Sequence, residues 1–391
     1  MQRIHIGELP KKINEKVLIS GFIQTIRDQG GIKFIVLRDI SGIIQVVISQ
    51  NAELLEQVKQ FSLESIIEVA GTVKKETKAF SGIELSAEVI NLLSRAEPEL
   101  PIPVTEKGGS KTDQSKRLDW RFLDLRKPEK QLIFKVWTLM EFAMIEYFIS
   151  NGFIEIHSPK LMSSPSESGS ELFEVKYFER KAFLAQSPQF YKQMAMAAGF
   201  EKVFEIGPVF RANPSFTSRH DTEFTGYDFE ISYIQSHQDV IMEEQKMIAH
   251  VIEKIKNKYG AEILEFYGRG LIVPAIPFPQ ITMKEAKKIL SDIPNISERR
   301  EGDLSPEEER KLSEYIKAST GHEFVFVTEY PASVRPFYHM RTESDPKLTK
   351  SFDLIWNGIE ITTGAQREHR YEILTKQAQE KGISLDCELR N

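Results

Sequence analysis

Phe210–Arg211–Ala212–Asn213, followed by Arg219–His220–Asp221–Thr222–Glu223–Phe224, is the stretch that decides how this chain is read. Its flanks, Val203–Phe210 and Thr225–Ile234, are apolar and β-prone, so the segment reads as strand, loop, strand. A loop carrying Arg211, Arg219 and His220 between paired strands is suited to gripping a polyphosphate, with Phe224 placed to stack on a flat base. Taken alone, such a loop is most often solvated surface. The order of the segments around it gives it meaning.

At 391 residues, 41% hydrophobic and 28% charged, the chain has the composition of soluble globular material with room for two or more domains. One cysteine, Cys387, excludes a disulfide framework and fits a reducing cytosol, so a cytoplasmic location is expected. No apolar run approaches the ~18 residues of a membrane span, and Met1–Leu18 lacks a signal-peptide core, so no membrane partner is expected. A net charge of −6 argues against indiscriminate nucleic-acid binding, while leaving room for local basic and aromatic patches.

Working outward, residues 1–103 read as all-β. Val17–Gln24, Lys33–Asp39, Ile43–Ser49, Ser65–Lys75 and Ile83–Ser94 are strand-like runs, with a helix-like stretch, Ala52–Phe61, between the third and fourth. That order suggests an OB-fold barrel. Residues 104–118 read as a linker, its polar core being Thr105–Lys116 with Gly108, Gly109 and Ser110. Residues 119–391 mix long helices (Pro128–Ser150, Gln238–Tyr259, and the shorter Met283–Leu290) with strands at Phe183–Ala185, Val203–Phe210, Gly226–Ile234, Glu323–Thr328 and Lys350–Trp356. The overall class is α+β: a barrel, then a domain built on an antiparallel sheet flanked by helices.

Several residue sets carry chemistry. Phe34 and Gln45 lie on adjacent predicted strands with Arg27 in the turn before them; an exposed aromatic can stack a base and an amide can read its edge. Ser166–Phe173, containing Glu167, Ser170 and Glu171, is small and polar, then acidic, then apolar, as suits a mobile lid. In Gln186–Ser187–Pro188–Gln189–Phe190–Tyr191–Lys192, Pro188 suits the first turn of a helix that sets Gln189 and Lys192 on one face. Asp353 and Glu360, on neighbouring strand-like pieces, offer oxygen ligands for a hydrated Mg²⁺. Arg367 offers a planar fork for a carboxylate.

Together these segments resemble the aspartyl-tRNA synthetases of the archaeal and eukaryotic-like type, within the class II aminoacyl-tRNA synthetases. Phe210–Phe224 is similar to motif 2, and Gly152–Pro159 to motif 1, whose helix and strand form a homodimer interface around Pro159. The likeness continues through Arg117–Arg126, Arg335–Pro336–Phe337–Tyr338 and Gly358–His369. It implies ATP-dependent activation of L-aspartate and transfer to tRNA(Asp). It makes Ser166–Phe173 a flipping loop in which Glu171 holds the substrate ammonium group, beside Glu167 and Ser170. Gln189, Lys192 and Arg367 would bind the substrate side chain. Arg211 would bridge the attacking carboxylate and the α-phosphate, with Arg219, His220, Phe224 and Glu360 completing the ATP site. Asp353 and Glu360 would hold Mg²⁺ with Thr363 nearby, and Arg27, Phe34 and Gln45 would take the anticodon.

Two departures from the family pattern stand out. Asn213 occupies a position that is usually acidic, which puts its contacts to ATP or the tRNA end in doubt. Motif 3, a Gly-rich strand ending in an ATP-clamping Arg, has no counterpart up to Asn391. On that reading the 391-residue chain is an incomplete catalytic domain, slowed by at least the ~10²–10³ that one lost charge-stabilising donor costs. The residues leave open whether tRNA(Asn) is also charged. An asparaginyl-tRNA synthetase, a non-catalytic binding relative and, more weakly, a lysyl-like relative stay as alternatives, the first opposed by the two cations Lys192 and Arg367.

Overall fold

The computed structural model describes residues 1–49, 51–105, 112–163, 172–213 and 221–383. The chain divides into two compact units, one from Met1 to Lys135 and one beginning at Val136. The division falls inside a helix, Pro128–Ser150.

In the first unit, β1 (Lys16–Asp28), β2 (Ile32–Asp39), β3 (Gly42–Ser49), β4 (Ile66–Lys75) and β5 (Ile83–Ser94) close a barrel in the order β1-β2-β3-β5-β4. Strict alternation drives it: Val17, Ile19 and Ile23, then Ile35 and Leu37, then Ile44, Val46 and Ile48 all point inward to one core. Gly21 and Gly71 let strands cross closely. A Cβ at these positions would lie 2.4 Å from the Arg38 carbonyl oxygen and 2.2 Å from that of Ser86. Between β3 and β4 sits α1 (Ala52–Val58); the Asn51 side chain caps it by accepting from the Leu54 N–H, and Leu54 and Val58 enter the core.

This is the expected OB-fold, with shifted edges. β1 runs beyond Gln24 because a bulge between Ile23 and Thr25 absorbs one residue and pairing with β2 resumes. The expected linker overlaps α2 (Gln114–Asp119), which starts where the Asp113 carboxylate accepts from the Ser115 N–H; residues 106–111 lie outside the described residues. After α3 (Arg121–Asp124), Arg126 reaches Glu64 at 3.0 Å, and Glu64 also pairs with buried Arg38 at 2.8 Å.

The second unit contains most of α4 (Pro128–Ser150), then β6 (Ile154–Glu155), β7 (Leu161–Met162), β8 (Glu174–Tyr177), β9 (Arg180–Leu184), α5 (Gln189–Ala197), β10 (Lys202–Phe210), β11 (Glu223–Ile231) and α6 (His237–Tyr267). There follow β12 (Gln280–Thr282), α7 (Met283–Ser291), α8 (Pro306–Thr320), β13 (Phe324–Thr328), β14 (Ser351–Trp356), β15 (Ile359–Ala365) and α9 (Tyr371–Glu380). Among the described residues the strands form sheets of order β11-β10-β6, β12-β13-β14-β15 and β7-β9-β8. Pairing is antiparallel except for β6 with β10 and β12 with β13.

The long helices pack against sheet residues in a core that includes Phe148, Phe204, Ile248, Phe326, Phe352 and Leu354. Intervening residues of the same strands, Val325, Val327 and Ile355, share a second core with Leu290, Leu312 and Ile316 of α7 and α8. This explains the unbroken apolar run of β13, which is buried on both faces. α6 exceeds the expected Gln238–Tyr259 because its stop signal is Gly268, in the left-handed conformation, nine residues further on. No helix among the described residues is long and apolar enough to cross a membrane.

Candidate active site

A polar cluster gathers around Glu230, a buried carboxylate on β11. Lys192 and Gln189 lie on one face of α5, as their spacing requires, and both are buried. The Lys192 ammonium donates to Asp228 at 2.8 Å and lies 3.5 Å from Glu230. The Gln189 amide donates to Glu230 at 3.2 Å. Arg367, just beyond β15, donates from Nε to Glu230 at 3.1 Å, from Nη2 to the Gln189 carbonyl at 2.9 Å and from Nη1 to His339 Nε2 at 2.9 Å. Burial alone would push the Glu230 carboxyl up, but Arg367 and Lys192 outweigh it and hold it below the ordinary range. Such an arrangement offers two oriented cations and an amide to an anionic group.

A second corner lies on β14 and β15. Asp353 pairs with Thr363 across the strands, and a register shift after Leu354 sets Glu360 opposite Ile355, on the face that carries Asp353. Asp353 Oδ2 accepts from Arg335 at 2.5 Å, and Arg335 also donates to the Thr363 hydroxyl at 3.2 Å while lying 3.7 Å over the Tyr330 ring. Asp353 Oδ1 is buried with no hydrogen-bond partner among the described residues. Burial, then the Asp353 charge, push the Glu360 carboxyl well above its ordinary range, with Glu309 and Asp303 adding and Arg335 opposing. Because Glu360 keeps solvent-exposed surface, the crowding of carboxylates carries more of that shift than burial does. Hard oxygen donors, one of them orphaned, fit a divalent cation. Among the described residues no three His, Cys, Asp or Glu side chains surround a metal position by themselves, so the pair fits a cation that phosphates and water also hold.

β10 and β11 form the expected hairpin, paired from Lys202 with Ile231 to Phe210 with Glu223. Arg211 leaves it with its N–H donated to the Thr222 carbonyl at 3.0 Å and its guanidinium 5.4 Å from the centre of the half-exposed Phe224 ring. At the motif 1 segment, buried Glu205 accepts from the Ser158 N–H at 3.1 Å and hydroxyl at 2.8 Å, and pairs with Lys160. That clamps the residues flanking Pro159 to β10.

On the barrel, Arg27 pairs with Phe34 and Gln45 with Val36, so all three face outward from β1, β2 and β3. Arg27 is exposed and Phe34 half-buried; Gln45 is 9% exposed and donates to Glu84 at 3.3 Å. Two charged neighbours on β2 are internal instead: Lys33 is buried against Asp28 at 3.1 Å, and Arg38 is held by Glu64.

The structure therefore brings Gln189, Lys192 and Arg367 together, sets Asp353, Glu360 and Thr363 on one strand pair, and places Arg211 beside Phe224. Glu167, Ser170, Glu171, Arg219 and His220 lie outside the described residues. Sequence reasoning missed Asp228 and Glu230, although two acidic residues alternating within the apolar β11 were a visible signal. It also gave no role to Arg335 and His339, whose partners are far away in sequence.

Residues 113–390 match the family model of class II tRNA synthetases (D, K and N), and residues 17–93 match that of the OB-fold nucleic acid binding domain. An aspartate–tRNA(Asp/Asn) ligase from Methanopyrus kandleri is 43% identical over 378 residues, 96% of this chain and 85% of that relative. An aspartate–tRNA(Asp) ligase from Pyrococcus abyssi is 41% identical over 98% of this chain and 88% of its own length. The crystal structure of asparaginyl-tRNA synthetase from Pyrococcus horikoshii with asparaginyl-adenylate superposes with a TM-score of 0.89 at 29% identity, covering 98% of this chain and 88% of that one. The chain belongs to the class II tRNA synthetases, an aminoacyl-tRNA ligase with an OB-fold domain ahead of its catalytic domain.

Proposed function

We propose that this chain is an aspartate–tRNA ligase, activating L-aspartate with ATP and transferring it to tRNA(Asp). The observation that carries this reading is the convergence of Lys192, Gln189 and Arg367 around Glu230. Two cations directed at one small region favour a carboxylate side chain over an amide. The names of the ligases from Methanopyrus kandleri and Pyrococcus abyssi support it. The asparaginyl-tRNA synthetase structure shares the fold, and the Lys192–Arg367 pair argues against its amide substrate here.

The α-carboxylate of aspartate attacks the α-phosphorus of ATP, pyrophosphate leaves, and the acyl group then passes to the terminal adenosine hydroxyl of tRNA with release of AMP. Alignment and charge neutralisation carry such chemistry, and the carboxylate needs no general base. Arg211 holds the attacking carboxylate against the α-phosphate and Phe224 stacks the adenine. Arg219 and His220 take the outer phosphates. Asp353 and Glu360, with Thr363 beside them, would hold Mg²⁺, which neutralises phosphate charge when bound. Arg27, Phe34 and Gln45 face the anticodon; tRNA(Asn) as a second acceptor depends on the same face. The exposed Phe142 and Ile149 of α4, with Ile154 of β6, support a homodimer. The enzyme works in the cytoplasm, with no membrane partner.

Aspartate-dependent ATP–pyrophosphate exchange on the purified chain tests the reading, with asparagine as control. Exchange with aspartate and not asparagine is expected, and Lys192→Leu should lower it roughly 10²–10³-fold in a folded protein. Exchange favouring asparagine, or indifferent to Lys192→Leu, overturns the assignment.

A further inference from the structure

We propose that His339 is a positioning residue that fixes the orientation of the Arg367 guanidinium, and through it the preference for a carboxylate side chain. The inference rests on the aspartate reading above.

Arg367 ends a long, rotatable side chain, so its selectivity depends on how its fork is held. Three of its nitrogens are engaged: Nε by Glu230 at 3.1 Å, Nη2 by Gln189 at 2.9 Å and Nη1 by His339 at 2.9 Å. The Tyr338 ring lies under the guanidinium, 5.4 Å to its centre. Glu230 and Gln189 are shared supports. Glu230 also meets Lys192, and Gln189 also donates to Gln193. His339 Nε2 is turned to Arg367.

The scaffold places His339 for this contact. A backbone β-bridge joins His339 to Arg367 itself, and Gln377 donates to the His339 carbonyl at 3.1 Å. The ring is buried, at 6% exposed. A guanidinium only donates, so Nε2 must accept and the proton must sit on Nδ1. Burial, then the positive charges of Arg367 and Arg335, hold the imidazole well below its ordinary range, which keeps it neutral. Nδ1 has no hydrogen-bond partner among the described residues. Such a ring is costly to bury, and the contact that accounts for it is the one at Nε2.

A geometric contrast follows. The Gln carbonyl can reach the position of Nε2, whereas the Asn carbonyl stops near that of Nδ1, and Leu offers no acceptor. Wild type, His339→Gln, His339→Asn and His339→Leu should be titrated calorimetrically with L-aspartate, L-asparagine and a non-hydrolysable ATP analogue, with melting curves for each. Wild type should prefer aspartate. His339→Asn and His339→Leu should bind aspartate about tenfold or more weakly, since a hydrogen bond to a charged group is lost. Asparagine and nucleotide affinity should change little, and His339→Gln should stay within about threefold of wild type for aspartate. If His339→Leu fails to fold, the Gln–Asn comparison still decides. Equal aspartate binding by the Gln and Asn variants, or a joint loss of aspartate and nucleotide binding, overturns the proposal. Wild type that does not prefer aspartate overturns the aspartate reading instead.

Discussion

On the barrel, Arg27 and Phe34 stand on the face opposite the core, whereas in the second unit the candidate side-chain-binding residues Gln189 and Lys192 are buried. Arg27 and Phe34 lie outward of Ile35, Leu37 and Val46, which carry the packing. Gln189, Lys192 and Glu230 are all buried, and each is bonded to another member of the set. An open recognition face and the fold under it can change separately. A buried set of charges is structure and chemistry at once, because removing one member leaves its partners buried without compensation.

The largest effect should come from breaking that second construction at its centre. Glu230→Gln keeps the shape and the hydrogen-bonding reach but removes the charge that pairs with Arg367 and that shares Lys192 with Asp228. Uncompensated buried charge costs about 3–5 kcal/mol. At ~2–4 °C per kcal/mol for a domain of this size, the catalytic unit should melt roughly 6–20 °C below wild type. Differential scanning calorimetry should show that unit's transition shifting while the barrel's stays in place. An unmoved catalytic transition would mean that Glu230 is no keystone.

The next test uses a buried carboxyl in the same unit that touches none of these cations. Glu244 on α6 accepts from the Thr362 hydroxyl on β15, one residue before Thr363. Burial, then the nearby Asp353 charge, raise its pKa from 4.5 to about 7, against the lowering effect of the Thr362 bond. The folded state therefore keeps a proton that the unfolded chain has lost, in the window from 4.5 to about 7. Stability should fall as pH rises through that window, by about 3 kcal/mol at most, and level off above it. Glu244→Gln cannot ionise and retains an acceptor for Thr362. Its melting temperature should match wild type near pH 4.5 and exceed it by several degrees at pH 8. Parallel pH curves for the two proteins would sink this account.

The same contrast explains what could be read in advance. The barrel was legible because alternation is local: Val17, Ile19 and Ile23 announce an inward face without knowledge of any partner. The pairing of Gln189 with Lys192 was legible for the same reason, being one helical turn. Arg367 meets Glu230 and Gln189 from 137 and 178 positions away, and no periodicity encodes such a meeting. The family resemblance supplied the roles of Lys192 and Arg367, and the structure added the residues that hold them, Asp228, Glu230 and His339. Arg38 is a further case: alternation along β2 sets it on the face of Phe34 and Val36, yet its side chain is 6% exposed and paired with Glu64, 26 positions away.

The smallest effect on stability, and the sharpest test of the comparison, belongs to Phe34. It is absent from the barrel core and sits opposite exposed Arg27, so its ring is available to stack a base. Stacking on an aromatic contributes about 1–3 kcal/mol per base, so Phe34→Ala should weaken tRNA binding roughly five- to 150-fold. The barrel's melting temperature should hardly move, because no core contact is removed, and aspartate-dependent pyrophosphate exchange should be unchanged. Ile35→Ala, one residue along and fully buried, should do the opposite: cost about 2–5 kcal/mol of barrel stability while removing no outward-facing ring. Filter binding and thermal melting on this adjacent pair separate the two faces. If Phe34→Ala destabilised the barrel as much as Ile35→Ala, the outward face would be structural, and the distinction between open and buried recognition would fail.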